Sequence, residues 1–168
     1  MTDHFNKTAI KMLAKNRPML RFGCGAWLAE AVVGCGVEKN NIDIFNFDTK
    51  YLYGMCDVIM LALSHNVPQA GYKIHFPTGT GYEKMIYATD TNNLNGINAW
   101  HYDLYMIEAN YEESDIQERI RQKKENGEYA YEYQVLKNHL SKEKCDDFIY
   151  RNIGGNGIYI YMHMHKEV

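Results

Sequence analysis

Hydrophobic and polar positions follow two rhythms along the chain. Between Lys7 and Lys15, Ala9, Ile10, Leu13 and Ala14 fall at helical spacing, and the pattern stops before Pro18, which predicts a first helix. Met19 to Phe22 reads as a short strand closed by Gly23-Cys24-Gly25. Ala26 to Val33 is helical, with Trp27, Leu28, Ala31 and Val32 on one face and Gly34 and Gly36 ending it. Ile42 to Phe47 alternates apolar and polar residues, and Val58 to Leu63 is a continuous apolar run suited to a buried strand. Gly71 to Phe76 and Lys84 to Ala88 flank Pro77-Thr78-Gly79-Thr80-Gly81, which predicts a hairpin. Leu104 to Ala109 is a further apolar strand. Helices are expected over Ser114 to Lys124, Tyr129 to Leu136 and Ser141 to Asn152, the last with Ser141 as N-cap. After Gly154-Gly155-Asn156-Gly157, Ile158 to Met162 makes a final strand.

Helices and strands alternate without a strict βαβ period, which favours an α/β fold of layers around mixed sheet. No repeat, low-complexity tract or linker interrupts residues 1–168, and an apolar content of 46% is enough to fill the core of one domain. The formal net charge of -3 lacks the basic footprint of a duplex-binding protein. Cys24, Cys35, Cys56 and Cys145 form no Cys-x-x-Cys pair. With a polar N-terminus in place of a secretory signal, reduced thiols are expected. No apolar run reaches the roughly 18 residues of a membrane-spanning helix. The sequence reads as a soluble cytoplasmic protein.

Several metal-ligating residue types stand at strand ends or in the turns that follow. They are Asp3 and His4 at the start, His65 after the Val58 run, Asp90 after Lys84 to Ala88, and His163 and His165 after the last strand. Strand ends hold ligands rigidly while loops leave room for substrate, and imidazole with carboxylate suits zinc or another divalent ion. Each has an ordinary reading taken singly. Asp3 would cap the first helix, His4 would sit in a fraying terminus, His65 and Asp90 would be loop and turn residues, and His163 would face solvent. Their order in the chain changes the balance.

That order resembles the metallo-β-lactamase superfamily, in particular its small phosphodiesterase and nuclease-like branch of bacteria and phages. Thr2-Asp3-His4 looks like the end of the His-x-His-x-Asp-His signature, followed by a helix. Leu63-Ser64-His65-Asn66-Val67-Pro68 is similar to the third metal motif. Tyr87-Ala88-Thr89-Asp90-Thr91 resembles the strand that delivers the bridging aspartate, and Glu108-Ala109-Asn110 the strand after it. Asn138-His139-Leu140-Ser141 and Met162-His163-Met164-His165 look like the two later histidine motifs. The resemblance covers essentially the whole chain. It implies an incomplete metallo-β-lactamase-like αββα sandwich with flanking helices, shortened at the N-terminus and lacking the His-x-His half of the signature.

By resemblance, one metal would take Asp3, His4, Asp90 and His163, with His165 an alternative to His163. A second would keep only His65 and Asp90. Asp3 and His139 would be the catalytic pair, His139 as proton donor or supporting residue, and Glu108 would orient a ligand histidine or sit as a satisfied core carboxylate. His75 and His101 are read as structural. The implied cofactor is zinc or manganese, as one ion or none. The first expected function is a metal-dependent hydrolase of a phosphodiester, a small one or a nucleic-acid end. The alternative is a phage-type binding protein that reuses the fold to block a host defence enzyme, and a third reading is a truncated longer enzyme. An uncovered sheet edge would favour a homodimer.

Overall fold

The computed structural model describes residues 5–164. The elements are α1 (Lys7–Asn16), β1 (Phe22–Gly25), α2 (Ala26–Val33), a 3₁₀ turn (Lys39–Asn41), β2 (Ile42–Phe45), β3 (Lys50–Tyr53), β4 (Cys56–Leu63), β5 (Gln69–Thr78), β6 (Gly81–Ala88), β7 (Leu104–Glu108), α3 (Glu113–Glu125), α4 (Glu132–Asn138), α5 (Lys142–Asn152) and β8 (Ile158–Met162). The α/β reading holds, with mixed sheet. β3 to β8 form a six-stranded sheet in chain order, and β1 and β2 pair separately in parallel.

Local chemistry accounts for most boundaries. Asn6 caps α1, accepting a 2.9 Å bond from the Ala9 amide. Ser141 caps α5 by accepting from the Lys144 amide at 3.2 Å. The predicted hairpin is β5–β6, in register from Tyr72 opposite Tyr87 to Thr78 opposite Gly81. The first strand differs from expectation: it runs through Gly23-Cys24-Gly25 and starts only at Phe22. A Cβ on Gly23 would lie 2.5 Å from the Phe45 ring and one on Gly25 2.0 Å from the Trp27 ring. The glycines therefore let aromatic rings lie against β1, and they do not close it. Strand β3 was not expected, and α4 begins later than the tyrosine pattern suggests.

Sheet direction fixes where function can sit. β3 to β6 are antiparallel in succession, whereas β6, β7 and β8 are mutually parallel. The C-terminal ends of β4, β6, β7 and β8 therefore share one edge of the sheet.

One face of the sheet carries the main core. Leu61, Ile86, Ala88, Tyr105 and Ile107 pack there with Leu140, Cys145, Phe148 and Ile149 from α5 and the residues before it. On the other face, the Phe45 ring of β2 packs tilted against Tyr51, 4.5 Å between centroids, and lies 6.4 Å from that of Tyr53. Helices α1 and α2 in turn cover β1 and β2 with Cys24, Val32 and Val37. Beyond β4 that second face stays apolar but half-buried, through Ile74, Met85, Leu104 and Met106. All four cysteines are free thiols. Among the described residues no helix is long and apolar enough to cross a membrane.

Tyr105 joins strand to loop: it is fully buried, and its hydroxyl donates to Ala99 O at 2.7 Å and accepts from the Tyr102 amide at 3.0 Å. Tyr105→Phe is expected to cost about 1 kcal/mol, and Ile107→Ala, which opens a cavity beneath α5, about 2–5 kcal/mol. Urea unfolding measures both. A wild-type midpoint for Ile107→Ala would contradict the placement of the core.

Candidate metal centre

The shared edge gathers residues far apart in sequence. Glu108 is the last residue of β7 and has no solvent exposure. Its Oε1 lies 2.6 Å from His139 Nδ1 and 3.1 Å from His163 Nδ1, while its Oε2 accepts the Thr91 amide at 2.8 Å. Asp90, two residues beyond β6, is 5% exposed. Its Oδ1 stands 3.0 Å from His163 Nδ1, and its Oδ2 accepts from Gln69 Nε2 at 2.9 Å. His163 follows β8 directly, and His139 is the C-cap of α4. The His65 ring, in the loop after β4, lies 5.4 Å from the His139 ring, which is 5.0 Å from that of His163.

The loops are tied to one another. Thr91 Oγ1 accepts from the Ser64 amide and donates to Asn93 O, and the Asn92 amide donates to Ser64 O at 2.9 Å. Asn110 Nδ2 donates to the His163 carbonyl at 2.9 Å. Asp90 and His163 both hold positive φ, 55° and 52°, a region that non-glycine residues rarely enter and that concentrates at functional sites.

Electrostatics follow from burial and contact. The Asp90 and Glu108 carboxylates beside it raise the His163 imidazole to about 10. Burial pushes the Glu108 carboxyl up, but the bonds from His139, His163 and Thr91 outweigh it and leave Glu108 below its ordinary value.

The donor set suits a divalent cation. Asp90, Glu108, His139 and His163 each offer a ligand atom, all within 4.8 Å of one another. Two donors on one zinc ion lie at most about 4.4 Å apart, so small adjustments bring them into range. The proton that His163 Nδ1 shares with two carboxylates stands where a cation would neutralise the same charges. Glu108 already spends its oxygens on His139, His163 and Thr91, the usual role of a carboxylate that orients metal-binding imidazoles. With Nδ1 of His139 turned to Glu108, its Nε2 is left for a ligand or a proton.

Of the residues singled out in sequence, the structure brings together Asp90, His139 and His163, with His65 alongside. Asp3, His4 and His165 lie outside the described residues. Glu108 is the shared partner of both imidazoles. His75 sits elsewhere, with Nε2 2.7 Å from the Tyr102 hydroxyl. Sequence reasoning missed Gln69, the Thr91 amide and Asn110. Gln69 carries no metal-ligand signal, although it opens the strand after the His65 motif.

Metal-free stability should depend on pH through this cluster. His163 is raised above its ordinary 6.5, so its contribution is full below that pH and lost as pH rises through about 10. Glu108 is lowered from 4.5, so its contribution is present above that pH and lost on acidification. Urea unfolding of chelator-treated protein is expected to weaken between pH 6.5 and about 10, and His163→Gln should flatten that alkaline decline. An identical decline in the variant would assign it elsewhere.

No family model matches the sequence, and no curated protein matches it. Solved structures match it in shape. The metallo-β-lactamase fold protein YhfI from Bacillus subtilis superposes with a TM-score of 0.67 at 14% identity, covering 100% of this chain and 64% of YhfI. The short form of human tRNase Z, ELAC1, superposes with a TM-score of 0.62 at 10% identity, covering 96% of this chain and 68% of that one. The chain thus spans a little under two thirds of the length of YhfI. What it shares with both proteins is architecture: the chain has the metallo-β-lactamase fold.

Proposed function

We propose that the protein is a metal-dependent hydrolase of a phosphodiester. The observation that carries this reading is the convergence of Asp90, His139 and His163 on the buried Glu108 at the ends of parallel strands. It is supported by the fold shared with a protein whose name makes it a tRNase. Asp90 and His163 would hold a zinc or manganese ion, with His65 beside them and Asp3 and His4 as the further ligands that the sequence resemblance implies. Such an ion, when bound, polarises a phosphoryl oxygen and acidifies water. His139 would hand a proton from Nε2 to the leaving oxygen, while Glu108 holds its Nδ1 and fixes the ring. Gln69 and Thr91 keep Asp90 and Glu108 in place.

Elemental analysis after zinc or manganese loading, with hydrolysis of bis(p-nitrophenyl) phosphate, tests the proposal. Asp90→Asn is expected to lower both metal content and turnover. His139→Ala is expected to keep the metal and to lose about a hundredfold or more in turnover. Protein that takes up no ion and shows no turnover after loading would end this reading.

We further propose self-pairing through β8. It is one of the two edge strands of the sheet as described, and Ile158, Tyr159 and Ile160 are 62%, 44% and 46% exposed with no charge among them. Such an edge offers unpaired amides and carbonyls to another strand. Light scattering is expected to rise with concentration for the wild type and to fall to the monomer value for Ile160→Lys. A wild type that is monomeric at every concentration removes the proposal.

A further inference from the structure

Two cavities flank the metal centre on its α3 side, one of about 210 Å³ and one of about 280 Å³, and both are lined by Asn110 and Arg119. Asn110 connects them to the centre, because its side chain holds the carbonyl of His163. Arg119 is placed by the helix: Ile116 and Ile120 turn into a cluster with Tyr111 and Ala130, and Arg119 rises beside that stripe. Its Nε is buried, and among the described residues it has no hydrogen-bond partner.

The neighbouring interior charges do not balance, because Arg119 and Lys123 share one carboxylate, Glu132. Glu132, 8% exposed, is the acid facing it in the larger cavity: its Oε1 is taken by Lys123 Nζ at 2.7 Å, and its buried Oε2, without a hydrogen-bond partner among the described residues, leaves its charge to act on Arg119 only through space. Glu112 and Asp115 line the smaller cavity from exposed positions, where water screens them. Arg121, two residues on, shows the contrast, since Glu118 and Glu125 pair with it in solvent. A guanidinium stays charged under all ordinary conditions, and a buried donor left without an acceptor calls for a ligand or water. Its planar fork matches the oxygens of a phosphate.

We infer that Arg119 anchors a second phosphate of the substrate, next to the one presented to the metal centre. The inference rests on the hydrolase reading and narrows it to substrates carrying phosphates on neighbouring residues, as a nucleotide chain does. Asn110 would add an amide donor beside that phosphate, and the wall of Ile116, Val135 and Tyr131 would take the apolar part of the adjoining nucleoside.

Calorimetric titration of the full chain with inorganic pyrophosphate, after chelator treatment and at low salt, separates this inference from the metal proposal. The wild type is expected to bind, Arg119→Gln to bind about tenfold more weakly or worse, and Arg121→Gln to match the wild type. Thermal unfolding checks that each variant is folded. If Arg119→Gln is not, Arg119→Lys takes its place, keeping charge and stem but losing the fork, and weakening is again expected. On metal-loaded protein, Arg119→Gln should lower kcat/KM for a 5′-phosphorylated dinucleotide and leave bis(p-nitrophenyl) phosphate unchanged. No binding by the wild type, or equal binding by the Arg119 variants, overturns the inference. Failure to take up zinc or manganese would overturn the metal proposal while leaving the pyrophosphate titration intact.

Discussion

A single carboxylate organises the functional end of this molecule. Glu108 has no solvent exposure and binds two imidazoles and a backbone amide from three separate segments. Burying a carboxylate without partners is costly, so the chain before Leu94, the end of α4 and the turn after β8 must all be in place for Glu108 to be satisfied. Its position on the last residue of β7, with β6 and β8 parallel on either side, makes the requirement geometric. Neighbouring strands running the same way end together. Residues 90, 108 and 163 meet for that reason, although more than seventy positions separate the first from the last.

The same logic explains what the sequence disclosed. The apolar runs at Ala26–Val33 and Ile158–Met162 are bounded by glycines, and both elements stand where the pattern puts them. Gly23-Cys24-Gly25 was read as a stop because glycine ordinarily breaks a strand. Here packing overrides that preference, since Phe45 and Trp27 occupy the space of the missing side chains. β3 escaped notice because four residues between two turns give little periodicity, and tertiary pairing with β4 makes it a strand. At the site, His65, Asp90 and His163 were legible as ligand types in a familiar order, and His139 as a proton donor or supporting residue. Of the supporting shell, only Glu108 was. Gln69 and Asn110 act through single hydrogen bonds whose partners are distant in sequence, and the Thr91 contribution is a main-chain N–H that any residue but proline would supply.

Distribution of charge separates the two sides of the site. Around Glu108 and Asp90 the negative groups are buried and matched by imidazoles, an arrangement receptive to a cation. Across Asn110 stands the half-buried Arg119, whose nearest interior acid, Glu132, is shared with Lys123. Charges of opposite sign thus stand on the two sides of Asn110, the negative ones buried and the positive one half-buried. Neither side is read from overall composition, because a net charge of -3 averages the two away.

The left-handed backbone at Asp90 and His163 has a consequence for how this centre can be dissected. Conformations of this kind cost non-glycine residues on the order of 1–3 kcal/mol, and glycine adopts them freely. Glycine at either place would relax the main chain while deleting the donor atom. The stability of such a variant would then weigh that relief against the lost bonds among Gln69, Asp90, Glu108 and His163.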